Sequence, residues 1–323
     1  MFKKLVITTC KIVMQLTKPK QNLLENSHEL LLRSESKFLQ LAVNQKVKIV
    51  IGVIAIGYFA GLGLLSFLWY RHQNRGRFHF FNDNPEWQQM DKFGHAYTSF
   101  YLSFFIYRAL CYAGLEPKVA LKYGGFSGAL LMTPIEILDG FSEGYGASWG
   151  DELANFAGSA FFVWQQKQWG TIKLQPQFFF NPSKFAKLRP ELLGKNLSEQ
   201  WLKDYNGQIY WLKFNTNAFP FRLLFPFKLM LGYGAGNMIY GRPEQNIAAG
   251  FKPYREFYFG IDYELDYQVD YEVVAEKILP EKVSMKIGKF FQRDATTINI
   301  LLQTIKKLKK MVGFPIVWWK IRS

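Results

Sequence analysis

The chain has 323 residues, 49% hydrophobic and 18% aromatic, too apolar and too rich in Phe, Tyr and Trp for a disordered protein. Its net charge of +15 would suit a nucleic-acid surface if it were spread over a fold, but residues 1–50 carry +6 and residues 276–323 carry +8, leaving +1 between them. The two cysteines, Cys10 and Cys111, make neither a disulfide framework nor a metal-ligand spacing.

In chain order, residues 1–47 read as a basic amphipathic arm, with Leu pairs alternating with Glu, Arg and Lys from residue 21 onward, suited to a membrane surface. From Ile49 to Tyr70 the sequence IVIGVIAIGYFAGLGLLSFLWY carries no charge and is long enough to cross a bilayer as a helix. We assign residues 48–71 to a transmembrane helix, with Lys46 and Lys48 before it and Trp69, Tyr70 and Arg71 after it as interface anchors. A signal peptide is the weaker alternative, because some 48 residues precede the apolar core. Lipidation at Cys10 is disfavoured, since Thr8 and Thr9 stand where small residues are usual. The N-terminus is expected in the cytoplasm.

Residues 86–168 are predicted to form a helical bundle, rich in small residues, whose ionisable side chains fall in pairs. Asp91 and His95 are four apart, Glu136 and Asp139 three apart, and Asp151 and Asn155 four apart, spacings that put both members of a pair on one helical face. If the faces converge, Asp91, His95, Glu136, Asp139, Asp151 and Asn155 are candidate ligands of a divalent metal ion. The candidate catalytic group is His95 as general base, oriented by Glu136 or Asp139. Against this stands a purely structural polar network, in which Asp91 and Asp151 serve as N-terminal helix residues. The loop DGFSEGYGASWGD between the second and third pairs could form the mouth of a pocket or an ordinary turn.

Residues 169–275 read as a mixed region: an irregular linker over 170–195, a short helix at Leu197–Lys203, a turn at Asn206–Gly207, and strands in IYWLKFN and in the partly alternating stretch from Arg255 to Tyr271. GYGAG at 232–236 lacks the strand–loop–helix setting of a phosphate loop. Residues 276–323 are predicted to form a basic amphipathic helix, with Lys306 to Lys310 and Trp318 and Trp319 facing an anionic leaflet. An RNA-binding tail is the weaker reading, and no nucleic-acid partner is expected.

The strings FHFFNDNPEWQQMDKFGHAYTSF, PIEILDGFSEGYGASWGDELANFAGS, RPELLGKNLSEQWLKDYNGQIYW and LGYGAG, in that order, resemble a bacterial family of unknown function, the YfiM-like predicted periplasmic lipoproteins. A fainter likeness is to VanZ-like membrane proteins, whose D-K-x-x-H, acid, D-x-x-x-N pattern falls here on Asp91, Lys92, His95, Glu136, Asp151 and Asn155. The resemblance implies an envelope location and helical membrane association, and no established reaction.

The expected fold is therefore a mainly α membrane protein: a helical bundle partly in the bilayer, a small antiparallel β region, and a C-terminal amphipathic helix. The inner membrane with a periplasm-facing bundle is favoured over the outer membrane, and the partners are the lipid bilayer and, at both basic ends, anionic lipids. A structural or scaffold role is preferred. The alternative is a membrane-interface enzyme, metal-dependent or not, acting on a lipid-linked or cell-wall precursor.

Overall fold

The computed structural model describes residues 41–70, 74–215, 227–263 and 317–322. Helix α1 (Val43–Tyr70) is followed by an extended segment and a short 3-10 turn, Glu86–Gln89. Four helices come next: α2 (Met90–Tyr112), α3 (Pro117–Gly124), α4 (Ser127–Gly140) and α5 (Trp149–Trp169). The rest is built on strands β1 (Leu174–Phe180), β2 (Gln208–Phe214), β3 (Phe227–Gly236), β4 (Tyr254–Tyr263) and β5 (Val317–Arg322), with short helices α6 (Pro190–Leu193), α7 (Leu197–Lys203) and α8 (Pro243–Ala248) between them. The strands form one antiparallel sheet in the order β1-β2-β3-β4-β5.

This architecture overturns the expected membrane helical bundle. The bundle packs on a five-stranded antiparallel sheet and makes an α/β arrangement with it. Among the described residues, one helix is long and apolar enough to cross a membrane, Val43–Phe67, with a mean hydropathy of 2.2. The β region is not small. The segment expected as an irregular linker holds β1, whose Pro176 lacks an amide hydrogen and so fits only an edge strand. Val317–Arg322, expected at the end of an amphipathic helix, is strand β5, held to β4 by Lys320 and Arg322 against the buried Glu256. The expectations for the N-terminal arm up to residue 40 and for the C-terminal helix before residue 317 lie outside the described residues.

Helix α2 is central. One face meets the sheet, where Tyr101 donates a 2.5 Å hydrogen bond to the Pro176 carbonyl and Met90 packs with Ala235 and Met238. The opposite face meets α4 and α5 at backbone distance. A Cβ on Gly128 would lie 1.9 Å from the Ser99 carbonyl oxygen, and one on Gly158 would lie 2.0 Å from that of Ala96. Three buried serines finish the contact. Ser99 donates to the Asn155 carbonyl at 2.5 Å and lies 2.8 Å from Ser159, which is 3.0 Å from Ser103. The free amides at the start of α4 are then capped from neighbouring helices, Gly128 by Ser103 at 3.0 Å and Ala129 by Ser159 at 2.9 Å. The α5 N-terminus is capped locally, the Ser148 hydroxyl accepting from the Asp151 amide.

The glycines of α1 behave differently. No described atom lies within 4 Å of a Cβ built on Gly52, Gly57, Gly61 or Gly63. Gly158→Ala must therefore push α2 and α5 apart and is expected to cost about 3 kcal/mol or more. A thermal midpoint lowered by several degrees, beside an unchanged midpoint for Gly61→Ala, is the expected result of an unfolding scan on the detergent-purified protein.

Candidate functional site

The three pairs meet where the first turns of α2 and α5 and the last turn of α4 come together. His95 is the hub. Its Nδ1 lies 3.2 Å from Asn155 Oδ1 and 3.5 Å from Glu136 Oε1. Its Nε2 faces the other way, 3.7 Å from Asp91 Oδ1 and 3.8 Å from Asp151 Oδ1. Asp139 stands apart from His95 and accepts a 2.7 Å hydrogen bond from the Tyr70 hydroxyl.

Other groups complete the site. Lys92 places its Nζ 2.7 Å from both Asp83 Oδ2 and Asp151 Oδ1, and 3.5 Å from Asp91 Oδ2. Neither Lys92 Nζ nor Asp151 Oδ1 has an aligned hydrogen bond among the described residues, although the two lie 2.7 Å apart. Tyr205, from the turn before β2, donates to Asp91 Oδ1 at 2.7 Å. Ser148 donates through its hydroxyl to Asp83 at 2.5 Å and through its amide to Glu136 Oε2 at 3.2 Å. Glu152 accepts from Thr133 at 2.7 Å and lies 3.5 Å from the Asn155 amide nitrogen. With that nitrogen turned to Glu152, Asn155 offers its oxygen to His95 Nδ1, so Nδ1–H is the donor of that pair and Nε2 is the ring nitrogen left facing Asp91 and Asp151.

Of these residues, Asp83, Thr133, Ser148, Glu152 and Tyr205 were not singled out from sequence. Asp83 and Glu152 sit in segments whose polarity was visible, FNDNPEW and WGDELAN. Tyr205 is 114 residues from Asp91, and no local pattern signals that contact.

The electrostatics are those of crowded carboxylates with too little positive charge. Burial, reinforced by Asp139, pushes the Glu136 carboxyl up to about 8, and burial with Asp91 and Asp83 pushes Asp139 up to about 7 despite the Tyr70 hydrogen bond. Asp151 is raised to about 10 by burial and then by the charge of Asp91. For Asp91 burial also acts upward, but His95, Lys92 and the Tyr205 hydroxyl outweigh it and the net shift is downward. Lys92 is raised because Asp91 and Asp151 outweigh its burial. Glu136 is 6% exposed, and its Oε1 has no hydrogen-bond partner among the described residues.

The donor atoms of Asp91, His95 and Asp151 all lie within 4.8 Å of one another. Two ligands each about 2.0–2.2 Å from a metal ion lie at most about 4.4 Å apart, so the 3.7 and 3.8 Å separations from His95 Nε2 suit a shared cation. One imidazole with carboxylates suits Zn²⁺ or Mn²⁺.

These residues lie at one end of a cavity of about 580 Å³ that also reaches Asp139 and Tyr145. The Gly-rich loop lines it through Gly144, Tyr145 and Gly146. The loop is pinned from outside by the extended segment before α2, through the His79 ring against the Tyr145 carbonyl at 2.9 Å, the Phe81 amide donating to the Ala147 carbonyl and the Ala147 amide donating to the His79 carbonyl, both at 3.0 Å.

Residues 79–167, a little over a quarter of the chain, match the model of the family described as predicted periplasmic lipoprotein (DUF2279). No curated protein and no solved structure matches the chain. The family supports association with the cell envelope and its membrane lipids.

The raised carboxyls give the fold a definite pH dependence. Glu136 and Asp139 hold protons in the folded state that the unfolded chain releases at its ordinary, lower pKa. Their contribution to stability is therefore full below about pH 4 and declines as pH rises to about 8. Urea unfolding without added metal is expected to give lower stability at pH 8 than at pH 5. Asp139→Asn should flatten that slope, and an unchanged slope would remove Asp139 as its source.

Proposed function

We propose that this envelope-associated chain, whose residues 79–167 match the predicted periplasmic lipoprotein family, is a membrane-interface enzyme acting on a lipid-linked or cell-wall precursor with a divalent cation at Asp91, His95 and Asp151. The observation that carries the reading is the two-sided environment of His95. Nε2 shares a small space with two carboxyl groups, while Nδ1 is backed by Asn155 and by the buried Glu136, whose Oε1 lies 3.5 Å away with no hydrogen bond of its own among the described residues. A metal-binding imidazole whose other nitrogen is held by an oxygen acceptor has the usual support of a metal ligand. A cation there would relieve the carboxylate crowding and polarise a bound oxygen of the precursor. The place at the membrane rests on α1, long and apolar enough to span it. Tyr70 of α1 bonds Asp139, so that helix reaches the site.

A scaffold role is the second reading, and Lys92 favours it. Its ammonium lies against Asp83 and Asp151 and already supplies one internal positive charge, as a purely structural network would require. Elemental analysis of the detergent-purified protein separates the two. Wild type is expected to hold one Zn²⁺ or Mn²⁺ per chain. His95→Ala and Asp151→Asn should lose it with their circular dichroism unchanged, and Asp139→Asn should keep it. A metal-free wild type after incubation with both ions, with His95→Ala merely less stable, would leave the scaffold.

A further inference from the structure

The cavity is graded along its length. On α2 the lining residues His95, Thr98, Leu102 and Phe105 make one stripe that is polar at the site and apolar beyond it. The α4 stripe runs the same way, from Asp139 to Ile135 and Met132, and the α1 stripe runs from Tyr70 and Ser66 to Leu62. Three helices thus place their polar ends together and their apolar ends together. From His95 to Phe105 the stripe spans about 15 Å at 1.5 Å per residue, roughly the length of an extended chain of ten to twelve carbons. The apolar end is walled by α1, so a chain lying there is continuous with the surface most suited to lipid.

The charge at the other end selects the head group. The acidic side chains of Asp83, Glu86, Asp91, Asp139 and Asp151 line the cavity and disfavour an anion unless a second cation stands among them. Beside the cavity, however, Lys203 lies 4.8 Å over the Trp69 ring, and Arg242, paired with the lining Glu86 at 3.2 Å, lies 5.0 Å over the Phe81 ring; both rings line the cavity. The acidic lining calls for a bound cation, and the Lys203 ammonium beside Trp69 favours an anion next to it.

We propose that the cavity takes a membrane amphiphile with one hydrocarbon chain and a phosphate head, the chain along α1, α2 and α4 and the head on the cation at Asp91, His95 and Asp151. The proposal rests on the cation reading above and adds the class of ligand. The cation is what turns the acidic lining into an anion-binding one, so phosphate-head binding is metal-dependent while the apolar end sets the preference for a chain.

Calorimetric titration of the full-length protein in amphipol, with dodecyl phosphate as probe, tests this. With Mn²⁺ bound, dodecyl phosphate should bind one per chain, at least tenfold tighter than inorganic phosphate and at least tenfold tighter than without Mn²⁺. Leu102→Trp and, as a milder filling, Met132→Phe should each weaken dodecyl phosphate several-fold with Mn²⁺ binding and inorganic phosphate affinity unchanged. Equal affinity for the two phosphates would overturn the chain assignment and leave a small-anion site. Tighter binding of dodecyltrimethylammonium without metal would overturn the phosphate head. Mn²⁺ binding with no phosphate ligand would sink this proposal alone, whereas no Mn²⁺ binding would sink the cation reading and this one with it.

Discussion

The site depends on two missing side chains. Gly128 and Gly158 let α4 and α5 touch the backbone of α2, with a would-be Cβ only 1.9 and 2.0 Å from carbonyl oxygens of that helix. At ordinary interhelical distances of about 8–10 Å the short side chains of Asp91, Asp151 and Asn155 would fall short of one another. The serine triplet follows from the same closeness. Ser99, Ser103 and Ser159 are too short to bridge helices otherwise, and here they satisfy two α4 amides that a buried helix start would leave unpaired. Helix packing, polar satisfaction and convergence of the ionisable pairs are one geometric fact seen three ways.

Convergence carries an electrostatic cost, and the chain offsets it unevenly. Lys92 neutralises the side near Asp83 and Asp151, and hydroxyls from Tyr205, Ser148 and Tyr70 solvate single oxygens. Glu136 receives one backbone amide and the imidazole edge, and keeps an oxygen without a hydrogen bond. A network evolved only to hold helices together has a cheaper solution, because replacing an ion cluster with apolar residues of similar size is often neutral or stabilising. So many acidic groups beside one lysine are the feature on which the proposed cation rests, and in its absence protons held by Glu136, Asp139 and Asp151 relieve the crowding.

The ionisable pairs were legible because helical spacing alone puts residues three and four apart on one face, and each pair lies at the start or the end of an apolar run. Asp139 was legible as a pair member but not in its role: on the helix it shares a face with Glu136, yet its partner is Tyr70 of α1. Much of the sheet was hidden. β1 contains Pro176 within a Phe-rich stretch, and β3 is interrupted by glycines, Gly232 giving up its side chain to the Trp211 ring beside it. β5, with two tryptophans between apolar and basic residues, looks interfacial on its own and becomes a strand only against Glu256. Strand identity here is set by partners far away in sequence, which periodicity cannot report.

The sheet in turn sets the entry of α2. Trp87, Gln88 and Gln89 run left-handed at φ of 48, 52 and 63°, a conformation that costs L-residues roughly 1–2 kcal/mol each. They persist because the β3–β4 region holds them. The Trp87 amide donates to the Gly241 carbonyl at 2.8 Å, Tyr233 donates to the Gln88 carbonyl, and Arg255 donates to the Gln89 side chain at 2.8 Å. The turn ends one residue before Met90, so its left-handed twist fixes the direction in which the first turn of α2 presents Asp91, Lys92 and His95. Tyr205, carried by the same β region, then reaches Asp91 directly. The helices supply the charged groups, and the sheet supplies the strained joint that aims them, which is why an α/β architecture positions a site that a bundle of these helices alone would leave without its entry turn.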